Sequence, residues 1–351
     1  MRSILIVKTS AIGDVIHTFP VLDYLRDKFP SAQIDWVVEK GIAHLVQAHP
    51  KISHVLTIDS KSWRRSLFSG NTLRAMKESY VGLRKTHYDL LVDLQGNSKS
   101  ALVTASALAS VKVGYSWNCV REKTNVLATQ IRFSVNRQLN VREQYLNLVQ
   151  QYFQDQKRFQ HSGIELTLSS NERARLEYIV QQITQPCLMV AFGSKWSNKQ
   201  LSLSTWQIFL NRVTNHYPFS FVIVYASQEE KEMAERLQVK RSIVVGEMSL
   251  PLWQALMTNM AGVLTVDSAA LHLCATTNTP SFSVFGPTSA QLFKPLEQHH
   301  GTFQGKCPYN QPWTRICPQL RTCKTGACLK EIDQEALYAS FQEWTRSFLY
   351  L

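Results

Sequence analysis

Ile4-Leu5-Ile6-Val7 runs without a break into Lys8-Thr9-Ser10-Ala11-Ile12-Gly13-Asp14, and then into His17-Thr18-Phe19-Pro20. Four consecutive apolar residues leading into a polar turn read as a strand buried on both faces of a parallel sheet. The turn after such a strand lies at the carboxyl edge, where open α/β sheets bind ligands. This turn holds small residues, one lysine and one acid. Asp14 there can orient or deprotonate a substrate hydroxyl, while Lys8 and the amides can hold an anion. The same types serve equally as a helix cap and a solvated lysine, and at this level the two readings balance.

Outward from this stretch, strand and helix patterns alternate twice. The first half predicts strands at Ile4–Val7, Ile34–Val38, His54–Ile58, Asp89–Leu94 and Val111–Gly114, with helices near Val21–Lys28, Gly41–Ala48, Leu73–Lys85 and Ser98–Leu108. A longer helix follows at Val141–Phe153, then a polar linker at Asp155–Ser162. The second half predicts strands at Cys187–Phe192, Ser220–Tyr225, Ser242–Val245, Gly262–Val266 and Ser281–Phe285, with helices between them. Such alternation implies two doubly wound, Rossmann-like α/β domains facing across a cleft. Residues 1–160 form the first domain and 161–332 the second. Residues 333–351 form a last helix with the first domain as one candidate partner.

The length of 351 residues also favours two domains. Hydrophobic and charged contents of 44% and 18% are those of a globular chain. The net charge of +12 asks for an anionic partner: a small molecule, a membrane surface or nucleic acid. Lysine and arginine are dispersed and no nucleic-acid module is recognisable, which ranks nucleic acid last. The chain lacks a signal-peptide pattern and any run of about 18 apolar residues, so a cytoplasmic protein is expected.

The second half carries its own site signals. Val263-Leu264-Thr265-Val266 leads into Asp267-Ser268-Ala269-Ala270-Leu271-His272. Asp267 has the chemistry of an N-cap, Ser268 and the first amides can bind an anion such as a pyrophosphate, and His272 follows one turn later. Singly, a plain cap and a core histidine explain Asp267 and His272. A neighbouring strand end, Val284-Phe285-Gly286-Pro287-Thr288, shifts the reading toward a nucleotide site. Gly193-Ser194-Lys195-Trp196-Ser197-Asn198-Lys199 has the content of a phosphate loop without its spacing. No G-x-x-x-x-G-K-[ST] occurs, and no G-x-G-x-x-G follows Val7, which disfavours P-loop ATPases and dinucleotide dehydrogenases.

Lys8–Pro20 resembles the opening motif of the lipopolysaccharide heptosyltransferases of glycosyltransferase family 9. Val266–Leu273 and Val284–Thr288 resemble that family's sugar-nucleotide motifs. Asp35-Trp36-Val37-Val38-Glu39 and Asp93–Ala101 are similar to the type I enzymes, which add the first heptose to Kdo. The resemblance implies a GT-B fold and inverting transfer of L-glycero-D-manno-heptose from ADP-heptose, with no metal or other cofactor. It implies that Asp14 is the general base and that Lys199 stabilises the departing diphosphate. Ser194, Asp267, Ser268, His272, Gly286 and Thr288 would contact the donor, with Glu230 on the ribose and Met248 against the base. Glu229 next to Glu230 leaves that register open, and Met248 suits a core equally.

The implied acceptor is the inner core on lipid A, whose Kdo carboxylates and phosphates require cations. Arg64, Arg65, Lys99 and Arg121 match or lie near basic positions of the family, and Ser10, Gly13 and Gln95 fall in its acceptor-side motifs. For Arg64 and Arg65 a solvated basic face is an equal reading; Trp63, Leu67 and Phe68 either touch acyl chains or anchor the loop. The charge and the acceptor together imply peripheral contact with the inner membrane at its cytoplasmic face.

Cys307, Cys317, Cys323 and Cys328 crowd into a proline-bearing tail that also occurs in type II enzymes. Their spacing lacks a C-x-x-C pair, so free thiols in a loop over the cleft are expected rather than zinc or disulfides. Three alternatives stand beside the type I reading. They are a family 9 enzyme using an already heptosylated core, an idle sugar-nucleotide-binding module, and a nucleic-acid-binding protein.

Overall fold

Every backbone atom of Ile4–Val7 is flanked on both sides by another strand, and all four side chains are fully buried. The computed structural model describes residues 1–66, 69–159, 161 and 163–348. It divides into two compact units, Met1–Ser162 and Gly163–Leu351.

The first unit is one parallel sheet of β1 (Ser3–Val7), β2 (Gln33–Glu39), β3 (His54–Ile58), β4 (His87–Asp93), β5 (Leu108–Tyr115) and β6 (Ile131–Phe133), in the order β3-β2-β1-β4-β5-β6. From β1 the chain winds one way through β2 and β3, then returns to β4 on the other side. The crevice between the carboxyl ends of β1 and β4 is therefore the topological switch point, where doubly wound sheets take their ligands. The turns beginning at Lys8 and Leu94 leave from it. β6 escapes the periodicity because three residues are too few to show a pattern.

The second unit repeats the plan with β7 (Cys187–Ala191), β8 (Ser220–Val224), β9 (Ser242–Val245), β10 (Gly262–Val266), β11 (Ser281–Phe285) and β12 (His300–Gln304), ordered β12-β11-β10-β7-β8-β9. Its switch point lies between β7 and β10, so the Gly193 loop and the Asp267 turn leave the sheet side by side. The edge strand β12 reads His-Gly-Thr-Phe-Gln, too polar to register as a buried strand. The helix Ser170–Gln181, with Ser169 and Glu172 in a capping box, was also unanticipated from the pattern. Together the sheets form the paired Rossmann-like architecture of the GT-B class.

The last helix, Gln334–Phe348, settles in the second unit rather than the first. It buries Leu337, Tyr338, Phe341 and Trp344, an i, i+1, i+4, i+7 stripe, in the core shared with Phe209, Phe219 and Phe282. Phe341 meets Phe209, Phe282 and Trp344 at ring distances of 5.2, 5.6 and 5.7 Å. Trp344 lies so close to Gly301 that a β-carbon there would come within 2.6 Å of its ring, which makes the small residue part of the helix seat. Phe341→Ala should therefore cost about 3–5 kcal/mol of stability in the second unit, read as a fall in the denaturant midpoint. An unchanged midpoint would mean the helix is dispensable.

Candidate active site

In the first unit the turn after β1 is held by residues distant in sequence. Gln95 accepts the Thr9 and Ser10 N–H groups on its Oε1, at 3.0 and 3.1 Å. Gln95 is itself fixed by Asp93, whose Oδ1 takes the Gln95 and Gly96 N–H groups, each at 2.9 Å. The other Asp93 oxygen takes Thr104 Oγ1 and Asn125 Nδ2, at 3.0 and 2.7 Å. A buried carboxylate satisfied by four donors makes a rigid turn. The Ser10–Ala11 peptide bond within the β1 turn is cis.

Asp14 is half-buried in the first turn of the short helix Ile12–Ile16. Its Oδ2 accepts the Ala11 N–H at 3.2 Å, so the cap expected from residue type is present. Its Oδ1 accepts the Tyr145 hydroxyl at 3.2 Å. Capping and proton acceptance are thus compatible: each oxygen has one donor, and each keeps a lone pair. Lys8 is not solvated. It is buried, donating to Tyr145 Oη at 2.7 Å and to the Leu94 carbonyl at 2.9 Å, and it lies 4.1 Å from the Tyr145 ring centre. Burial pulls the Lys8 ammonium down to about 8, against the charges of Asp14 and Asp93, while Arg121 adds to the lowering. Tyr145 and Lys8 thus form a second layer behind Asp14. Tyr145 comes from the helix Val141–Tyr152, which the sequence predicts as a helix over Val141–Phe153 without singling out this residue.

The acceptor-side cations are dispersed in role. Arg64 and Arg65 are exposed on the helix Ser60–Arg65, and Arg121 is exposed beyond β5. Lys99 pairs with Glu39 at 2.6 Å, and the same carboxylate accepts the Ser60 N–H and hydroxyl. Glu39, at the end of β2, therefore ties Lys99 to the helix that carries both arginines. Trp63 packs against the first core as a loop anchor, whereas Leu67 and Phe68 lie outside the described residues. Gly13 sits beside Asp14 in the same helical turn.

The second unit gathers its predicted residues more tightly. Asp267, buried at the end of β10, receives Lys199 Nζ and Thr288 Oγ1 on Oδ2, both at 2.5 Å. His272 Nε2 stands 3.5 Å from its other oxygen. Burial alone would raise this carboxyl; hydrogen bonding from His272 and the Lys199 charge overcome it and hold the group below the usual carboxylate range. Asp267 is not the N-cap. Ser268 holds that position for the helix Ala269–Cys274, with its hydroxyl 3.3 Å from Thr265 Oγ1 and no cap bond of its own. The Asp267 side chain is used laterally, to join three loops.

Ser194 lies in the Gly193–Lys199 loop, closed by Gln200 donating to the Ser194 carbonyl at 2.6 Å. Glu230 abuts Gly193 so closely that a β-carbon there would meet its Oε1 at 2.2 Å, while Glu229 points to solvent. Packing thus separates the two adjacent glutamates. Glu230 also accepts the Ala226 N–H at 2.7 Å. Met248 is half-buried in the turn after β9. Gly286 is buried, and a β-carbon there would strike Leu329 at 2.5 Å. Its smallness admits the tail.

The cysteine tail braces these loops. Asn198, one residue before Lys199, donates to the Leu320 and Cys323 carbonyls at 3.0 and 2.9 Å. Cys317 N–H donates to the Pro287 carbonyl at 2.7 Å, and Thr288 pairs with Ile316 in an antiparallel bridge. All seven cysteines are free thiols, and among the described residues no cluster of His, Cys, Asp or Glu is arranged to hold a metal. Asn198 and the tail contacts are site-building features that residue types did not reveal.

The family model "Glycosyltransferase family 9 (heptosyltransferase)" matches residues 78–317. Lipopolysaccharide heptosyltransferase 1 of Escherichia coli K12 is 26% identical over 294 residues, covering 82% of this chain and 89% of the relative. The protein of the same name from Pseudomonas aeruginosa is 27% identical over 288 residues, covering 82% and 79%. The solved structure of E. coli heptosyltransferase WaaC with ADP shares the fold with a TM-score of 0.79 at 22% identity, over 97% of this chain and 99% of that one. With a family model that matches residues 78–317, most of its length, the chain belongs to glycosyltransferase family 9, the heptosyltransferases, and is a glycosyltransferase.

Proposed function

We propose that this enzyme transfers L-glycero-D-manno-heptose from ADP-heptose, with inversion, to a Kdo residue of the lipid A-linked inner core. The observation that carries the donor reading is the Lys199–Asp267–Thr288 junction at the second switch point. A diphosphate needs a fixed cation and hydroxyl or amide donors, and Lys199, Thr288, Ser268 and Ser194 offer them on adjoining loops. Asp267 holds Lys199 in place through the contact at 2.5 Å, and His272 supports Asp267 from the other side. Glu230 and Met248 are assigned to the ribose and the base. The relative WaaC, solved with ADP, supports an adenine nucleotide.

In the reaction the acceptor hydroxyl oxygen bonds to the anomeric carbon as the bond from that carbon to the diphosphate oxygen breaks. The hydroxyl proton passes to Asp14, and the electron pair leaves with ADP. One displacement inverts the centre. Asp14 suits the role because both oxygens are oriented yet retain a free lone pair. No metal is assigned a part, since Lys199 supplies the charge that the leaving group requires. Arg64, Arg65, Lys99 and Arg121 are assigned to acceptor carboxylates and phosphates, with Ser10, Gly13 and Gln95 shaping the acceptor side. The relatives named heptosyltransferase 1 favour the first-heptose acceptor. No helix of the described residues is long and apolar enough to cross a membrane. The lipid-linked acceptor is assigned to peripheral contact at the cytoplasmic face of the inner membrane, for which the net charge of +12 is the support.

The test is transfer from ADP-heptose to Kdo-lipid A, with the once-heptosylated molecule as competitor. Product with the former alone is expected. Product with the heptosylated acceptor alone would transfer the assignment to a later step, and donor binding without any product would leave a binding module.

A further inference from the structure

The connection between β3 and β4, residues 59–86, is a strongly cationic part of the chain. It carries seven lysines and arginines against Asp59 and Glu78, a large share of the chain's net charge of +12. Its main element is the helix Gly70–Leu83, fourteen residues of which only Thr72 and Leu83 are buried. A helix of that length gains little by itself in water and ordinarily depends on a well-buried face. Here the outward face is apolar and cationic together. Leu73, Tyr80 and Val81 are 55%, 47% and 47% exposed. At helical spacing they flank Lys77, and Arg84 lies just beyond, its guanidinium 5.3 Å from the Tyr80 ring centre.

We infer that this face docks on an anionic lipid bilayer. The alternation decides the partner class. A soluble polyanion such as nucleic acid would use the cations and leave Leu73 and Val81 in water, whereas a bilayer boundary takes both. Phosphate headgroups neutralise Lys77 and Arg84, the aliphatic side chains enter the headgroup–acyl boundary, and tyrosine favours that depth. The lysine and arginine stems are long enough to reach upward while the apolar neighbours sink. The inference deepens the proposed function, resting on its reading that the acceptor is a membrane lipid: Arg64 and Arg65, assigned to that acceptor, stand exposed on the preceding helix of the same connection.

The experiment is co-sedimentation of the full chain with vesicles of phosphatidylcholine alone and of phosphatidylcholine mixed with phosphatidylglycerol. Binding to the mixed vesicles only, falling steeply with salt, is expected. Lys77→Gln with Arg84→Gln should weaken the partition about 25-fold, from about five-fold per cation. Leu73→Glu with Tyr80→Glu should weaken it at least about ten-fold. All four positions are exposed, and unchanged thermal melting verifies folding. No binding to mixed vesicles, or variants that bind like the wild type, would overturn the inference. So would full displacement by a short DNA duplex together with no effect of the Leu73 and Tyr80 changes, the behaviour of a plain polyanion patch. Transfer to a deacylated, water-soluble acceptor should be equal in wild type and variants. If the wild type transfers to no acceptor, the failure belongs to the reaction reading, and the vesicle result still judges the surface independently.

Discussion

Asp14→Asn should lower kcat by about two to four orders of magnitude while leaving ADP affinity nearly unchanged. The amide is nearly isosteric. It can accept the Ala11 N–H through its one carbonyl oxygen and turn its NH2 toward Tyr145 Oη, so the helix start survives. What it cannot do is accept the acceptor proton as the glycosidic bond forms. The groups assigned to ADP all lie in the second unit, which is why its affinity should hold. The measurement is single-turnover transfer beside ADP titration. Parallel loss of turnover and ADP affinity, or loss of thermal stability large enough to explain the rate, would make Asp14 only a cap.

Lys199→Met should lower kcat by about two to three orders of magnitude and also weaken ADP binding, because the cation acts on both bound and departing diphosphate. The same change deprives Asp267, a buried carboxylate, of its ion-pair partner at 2.5 Å. Breaking such a pair costs about 3–5 kcal/mol when the remaining charge is buried, here moderated by His272 and Thr288. The double variant Lys199→Met, Asp267→Asn separates the two effects, since it removes both charges. Stability should largely return in the double variant and turnover should not. Recovery of turnover along with stability would show that Lys199 serves only to neutralise Asp267. The pairing also has a pH consequence. Asp267 is held below its unfolded value, so its contribution to stability is complete above the normal carboxylate range and disappears as pH falls through the depressed folded value.

How much of this was readable in advance depended on how local the cause is. β1 was legible because a strand flanked by strands on both sides must be apolar at every position, and Ile4–Val7 is. β6 and β12 were not, since edge strands of a few mixed residues carry no periodicity. Asp267 has the chemistry of an N-cap in the sequence, but Ser268 holds that position. Residue type shows that an aspartate can accept, and only packing shows that its donors are Lys199, Thr288 and His272. Glu229 and Glu230 are chemically identical in sequence, and the bare α-carbon of Gly193 separates them. Gly286 stands in a donor motif by sequence, and only packing shows that its missing side chain makes room for Leu329. Lys8 was given the choice of an anion site or solvent, and burial against Tyr145 provides a third position behind Asp14.

The order of strands, turns and motifs, and with it the fold class and family resemblance, was determined by the sequence alone, because those features depend on neighbours within about ten residues. Tertiary structure alone decided which distant side chains complete each turn. Tyr145 and Gln95 reach the Asp14 turn, and Asn198 and the tail brace the Lys199 loop, through hydrogen bonds between segments far apart in the chain. Such partnerships follow from how helices and sheets pack, and no local pattern encodes them.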